Sequence, residues 1–248
     1  MLETIKCIEL QKQQVIKDIK TATVNEKFRG LPQICVEKCN NIDECRDICP
    51  TNAIDENLAI DMGKCIFCGE CERICSEGAI KFTNFHKIGS TSRENLVTVG
   101  ELDPIESTEL IRKTFGRSLK LRQVSTGGCN SCEMELGACS NANFDMGRFG
   151  IEFVASPRHA DGIVITGPIT KNMAKALEET YQAISEPKIV ILVGACAISG
   201  GVFGGGMSQK SDETNREFLE KHKVDLYIPG CPAHPLTIIN AILDFLGQ

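Results

Sequence analysis

Fourteen cysteines stand in a chain of 248 residues, and their spacing sorts them by chemistry. Eight fall in one stretch: Cys35, Cys39, Cys45, Cys49, Cys65, Cys68, Cys71 and Cys75. Cys129, Cys132 and Cys139 form a second group, Cys196 and Cys231 follow two later apolar runs, and Cys7 stands alone. Thiolates are ligands for soft metal centres. The opening MLETIKCIELQKQQ lacks a basic segment followed by an apolar one, so it does not read as a signal peptide. Disulfides are then disfavoured, because cytosolic thiols stay reduced. Cysteine at this density is expected to ligate metal.

The first stretch repeats itself. CRDICPTNAI, from Cys45, matches CERICSEGAI, from Cys71, and the same offset carries Cys39 onto Cys65 and Cys49 onto Cys75. The second copy reads C-x2-C-x2-C-x3-C, the spacing that wraps three thiolates around one iron–sulfur cube and sends the fourth to its neighbour, as in two-cluster ferredoxins. Zinc needs only four ligands, so the third close-spaced thiolate of each copy is surplus for it. The expected second cluster is held by Cys49, Cys65, Cys68 and Cys71. The first copy has a fault, since Ile42 stands where Cys68 would map. Two readings stay open there. Either Cys35 joins Cys39, Cys45 and Cys75 around a 4Fe-4S cluster, which is the favoured reading, or those three hold a 3Fe-4S cluster and Cys35 is free. Ser76 takes the place of Pro50, a minor departure.

These ligands must be positioned by a backbone. Residues 1–33 read as an N-terminal arm, 34–82 as a small α+β ferredoxin-like domain, 83–117 as a linker with a short helix at about 105–115 started by Asp103-Pro104, and 118–248 as an α/β domain. Strands are expected at Leu119–Val124, Ile151–Val154, Gly162–Thr166, Lys188–Val193 and Val224–Ile228. Helices are expected at Asn172–Ile184, Asp212–His222 and Leu236–Leu246, the last capped by Gly247. Strands alternating with helices imply a mostly parallel sheet covered on both faces. The loops after parallel strands converge on one edge. Cys129, Cys196 and Cys231 each follow a strand, and Cys132 joins through C-x2-C, completing four thiolates with glycines beside them. A formal net charge of -6 argues against nucleic acid. No run of roughly eighteen apolar residues is present to span a membrane.

Four motifs carry a family resemblance: STGGCNSCEMEL from Ser125, SPRHADGIVITGPIT from Ser156, GACAISGGVFGGG from Gly194 and IPGCPAHPLTII from Ile228. Over about residues 118–246 the chain resembles the small subunit of membrane-bound, energy-converting nickel–iron hydrogenases, including the formate hydrogenlyase type. It is also similar to the homologous subunit of complex I. The resemblance implies a flavodoxin-like fold and a proximal 4Fe-4S cluster on Cys129, Cys132, Cys196 and Cys231. Complex I subunits show adjacent paired cysteines at the first motif; Cys129-Asn-Ser-Cys132 favours hydrogenase. Ser131 and Ala233 stand where the family has glycine and proline, and neither change touches a ligand.

The expected protein is an electron-transfer subunit of an oxidoreductase complex with three 4Fe-4S clusters and no catalytic centre of its own. The resemblance implies as partners a nickel–iron hydrogenase large subunit, a ferredoxin or other iron–sulfur donor, and integral membrane subunits that pump ions. It implies a place on the cytoplasmic face of the membrane. The alternative is the corresponding subunit of a complex I-like quinone or methanophenazine oxidoreductase. Glu135 reads either as a proton-path or interface carboxylate or as a solvated or capping one. Arg158 and His159 read as structural or as contacts to the cluster or large subunit. His234 is a candidate neighbour of the proximal cluster, and the GGVFGGG run a candidate cluster lining or partner surface. Cys7 and Cys139 read as free thiols.

Overall fold

The computed structural model of the chain describes residues 4–6, 16–203 and 217–248. The cysteine-dense module is built from short pieces. Strands β1 (Pro32–Ile34) and β3 (Ile80–Phe82) pair antiparallel, as do β2 (Ile60–Asp61) and β4 (Val97–Thr98). Helices α1 (Ile42–Asp47) and α2 (Glu70–Ile74) are the two copies of the repeat, packed on each other. Each buries one cysteine, Cys45 and Cys71. These thiols share the module's interior with buried Leu58, Ile60, Met62 and Ile80.

The second part is a five-stranded, wholly parallel sheet in the order β6-β5-β7-β8-β9. Its strands are β5 (Leu119–Ser125), β6 (Ile151–Phe153), β7 (Gly162–Thr166), β8 (Ile189–Val193) and β9 (Leu226–Ile228). Order and direction are those of a flavodoxin-like fold. GIVIT and IVILV are buried at every position, as central parallel strands covered on both faces must be. The helices of this part are α3 (Glu109–Phe115), α4 (Ser131–Cys139), α5 (Lys171–Gln182), α6 (Ala195–Ser199) and α7 (Pro235–Leu246). Helix α7 buries nearly all of its residues, starts with a proline at its first turn and ends at Gly247. Each fully buried Leu or Ile of such a core contributes about 1.5–3 kcal/mol.

All five strands expected from sequence form, within two residues at either end. The helix expected at 105–115 begins only at Glu109. Pro104 does not start it; Thr108 does, its side chain accepting the Ile111 N–H at 3.3 Å. Of the helix expected at Asp212–His222, residues 212–216 lie outside the described residues, and 217–221 are helical. The stretch 83–117, expected as a linker, is woven into the fold. It supplies β4, buries His86, Ile88, Ser90 and Leu96, and bridges Ser90 to Tyr227 of β9. Arg93 clamps Asp61 with two hydrogen bonds, at 2.9 and 2.6 Å. Ser199 Oγ donates to Gly63 O at 2.9 Å, joining α6 to the module.

Candidate metal centres

The first set gathers around α1 and α2. Cys39 ends a 3-10 turn, Cys45 is buried on α1 and Cys75 ends α2. Burial pushes the Cys45 thiol up to about 11, and the neighbouring Cys75 and Cys39 add to it. The Ala79 N–H donates to Cys75 Sγ at 3.1 Å. Cys35 stands apart in one respect. Its N–H bonds to Ala79 O at 2.8 Å, so its backbone lies beside the Cys75 loop, but its thiol faces Glu37 Oε2 at 3.3 Å.

The second set lines a single cavity. Cys49, Cys65, Cys68 and Cys71 surround it together with apolar Ile54, Ile60 and Phe82. Burial raises the thiols of Cys65 and Cys71 to about 12, with Cys49 and Cys68 contributing to both. The Ala53 N–H donates to Cys49 Sγ at 3.2 Å and the Phe67 N–H to Cys65 Sγ at 3.4 Å. Gly69, at φ 79, turns the chain between Cys68 and Cys71.

The third set lies at the C-terminal edge of the parallel sheet, where loops after different strands meet. Cys129 follows β5, Cys132 sits in the first turn of α4, Cys196 in that of α6, and Cys231 follows β9. Burial lifts Cys132 to about 12 and Cys196 to about 11, with Cys231 acting on both. The Cys132 shift persists although the Ala233 N–H donates to its sulfur. Cys129 is exposed, and its hydrogen bond with Ser131 Oγ at 3.3 Å holds its thiol below the ordinary value. Gly194, at φ 89, makes the close approach possible: a Cβ there would stand 2.6 Å from Cys132 Sγ.

The residues fit iron–sulfur clusters. Buried thiols with raised pKa values, grouped together and met by backbone N–H donors, ionise only when a strongly cationic group binds them. Backbone N–H bonds to sulfur are what such clusters use. Among the described residues, no three Cys, His, Asp or Glu side chains stand close enough to hold a single metal ion. The sets are also joined. Helices α1 and α2, which carry Cys45 and Cys71, pack on each other, and Phe67, two residues from Cys65, lines one cavity with Cys231.

A carboxylate that sequence reasoning did not single out, Glu133, is held at the third set. Its Oε1 accepts from Ser125 Oγ at 2.5 Å and Thr166 Oγ1 at 2.8 Å, and its charge acts on Cys129, Cys132 and Cys196. The only signal for it in the chain is adjacency to Cys132, which Glu135 shares nearly as well. Glu135 instead lines a cavity shared with Cys231, His234 and Thr237, where burial raises its carboxyl. His234 caps α7, its Nδ1 accepting the Leu236 N–H at 3.1 Å, and burial lowers its pKa. Arg158 and His159 are exposed on a 3-10 turn. Cys139 is buried and donates to Glu135 O at 3.2 Å, outside all three sets. Cys7 and Gly204–Gly206 of the GGVFGGG run lie outside the described residues.

Comparison with known proteins gives two family matches. The family described as NADH ubiquinone oxidoreductase, 20 Kd subunit, matches residues 129–245, and the 4Fe-4S binding domain matches 58–81. The probable membrane-bound hydrogenase subunit mbhJ of Pyrococcus furiosus is 37% identical over 131 residues, covering 53% of this chain and 75% of the relative. Formate hydrogenlyase subunit 7 of Escherichia coli is 37% identical over 157 residues, covering 61% and 57%. The B chain of the NADH-quinone oxidoreductase of Geotalea daltonii is 43% identical over 127 residues, covering 50% and 71%.

Proposed function

Because the chain belongs to the NADH ubiquinone oxidoreductase 20 Kd subunit family, we propose that it relays single electrons through three iron–sulfur clusters to a partner's catalytic site. The chain is an oxidoreductase subunit. In the proposed reading its partner is the large subunit of an ion-pumping, membrane-bound nickel–iron hydrogenase. A ferredoxin-type protein delivers the electrons, and integral membrane subunits hold the complex at the cytoplasmic face. Among the described residues no helix is long and apolar enough to cross a membrane, so in this reading membrane attachment comes from those partners.

The observation that carries the relay is three groups of thiols in one fold: Cys39, Cys45 and Cys75, then Cys49, Cys65, Cys68 and Cys71, then Cys129, Cys132, Cys196 and Cys231, with α1 packed on α2 and with Phe67 and Cys231 lining one cavity. Cys35, whose backbone N–H bonds to Ala79 O beside the Cys75 loop, would complete the first set. The bound clusters supply one-electron redox chemistry. The chain's own residues would hold the second cluster apart from water, through the apolar walls of Ile54, Ile60 and Phe82. They direct N–H groups at sulfur, from Ala53, Phe67, Ala79 and Ala233. Exposed Cys129 and Cys231, with exposed Met134, Val202 and Phe203 nearby in the chain, leave the third set open to a partner surface.

Iron and sulfide quantitation with electron paramagnetic resonance tests this. About twelve irons support three cubes, and about eleven with a 3Fe signal support the three-thiol first site. A chain with no reducible clusters overturns the relay. The similarity to the Geotalea daltonii NADH-quinone oxidoreductase chain supports a second reading, in which the large subunit reduces a quinone or methanophenazine. The large subunit's own sequence decides: absence of two C-x2-C pairs for nickel sinks the hydrogenase reading.

A further inference from the structure

Three cations stand near the loop that holds the second set, and they differ in how they are balanced. Lys64 approaches Asp61 at 4.0 Å, and Arg73 is paired with Glu70. Arg29 comes from the N-terminal arm and makes no ion pair within that distance among the described residues. Its Nε donates to Phe67 O at 2.7 Å, and the N–H of that same residue donates to Cys65 Sγ. Its side chain lies over Gly69: a Cβ there would stand 3.1 Å from Arg29 Cδ and 3.4 Å from Nη1. Its charge reaches Glu70 on the same turn. On its other side Arg29 lines the cavity that contains Cys231 of the third set.

We propose that Arg29 sets the electron affinity of the second cluster, by holding an unbalanced positive charge against the Phe67–Glu70 turn at the junction with the third set. The inference rests on the proposed presence of that cluster. Adding one electron to a cluster held by four thiolates makes it more negative by one charge, with no proton required. A fixed cation nearby favours that state by Coulomb attraction. The arm is thus a potential-setting element, which explains why a segment with no ligand of its own is laid across the ligand loop. Arg29 is exposed, so its effect is screened by salt.

The test is a redox titration of the intact chain, followed by electron paramagnetic resonance, at low and high salt. Arg29→Gln is expected to weaken reduction of the second cluster about threefold to tenfold, tenfold being 59 mV for one electron. The loss should shrink as salt rises. Arg29→Lys, which keeps charge but not the Nε–H bond, is expected to stay near the parent. Iron content should not change in either. Unchanged potential in Arg29→Gln overturns the proposal, as does an equal loss in both variants, which would mark a structural role. Loss of iron in both variants does the same. A parent chain without a reducible second cluster would instead overturn the relay itself, so the two failures are distinct.

Discussion

The two regions build thiol sites by opposite routes. In the repeat module, three ligands of one set come from the run Cys65–Cys71, on a turn and a five-residue helix. At the sheet edge, the four ligands run from Cys129 to Cys231 and meet only because β5, β8 and β9 end at the same edge. Local spacing needs little chain closure, but the module has only two-stranded sheets to hold it. The sheet-edge site has high closure cost, borne by a buried parallel core. In the proposed reading, the bound group organises the fold in the first case, and the fold organises the site in the second.

Removing iron should separate the two most strongly. Chelation under reducing conditions is expected to unfold residues 34–82 while the sheet stays folded. Hydrogen exchange would show this as lost protection on α1 and α2 and retained protection on β7 and β8. Equal loss in both regions would end the comparison. Next in size, Gly194→Val places a branched side chain against Cys132 at a positive φ. It should cost about 2–5 kcal/mol and empty the third site, leaving the resonance signals of the other two.

Smaller effects sharpen the seam between the regions. Asp61 accepts both Arg93 bonds and the Gly63 N–H, so Asp61→Asn should lower stability by about 1–3 kcal/mol. A drop confined to the module's transition in calorimetry would mark it as a separate unit. His86 has its Nε2 buried without a partner, and burial, then the charges of His234 and Lys87, lower its pKa to about 4. Its folded value lies below the unfolded 6.5. The stability it permits is therefore full above pH 6.5 and is lost as pH falls toward 4. A loss of about 1–3 kcal/mol is expected, and His86→Gln should flatten that melting profile. The smallest expected change is in Cys35→Ser, which should cost about one iron and produce a 3Fe signal. No change in iron count would show that Cys35 is not a ligand.

How much was legible follows the same division. The duplicated module was readable because its ligand spacing is local, and the offset between copies exposed the Ile42 fault directly. Strands β7 and β8 were readable because GIVIT and IVILV are short runs dominated by β-branched residues. Helix α4 was not expected. It opens at Asn130, in a left-handed conformation and without a side-chain capping bond, just after the Gly127-Gly128 pair. The start of α3 was misplaced because Asp103-Pro104 is a plausible helix start and Thr108 a better-capped one. Glu133 could not be told from Glu135, because the hydroxyls that hold it belong to β5 and β7.

By itself the order of residues determined the ligand types, the repeat and the strands after which cysteines fall. Those are properties of short segments, set by spacing and by the preference of branched residues for strands. The tertiary structure alone decided which sets adjoin, that Phe67 and Cys231 share a cavity, that 83–117 is packed into the fold, and that Arg29 reaches across to the Phe67–Glu70 turn. Each depends on closing long stretches of chain onto one another. The energy for that comes from a shared apolar core, which no local pattern encodes.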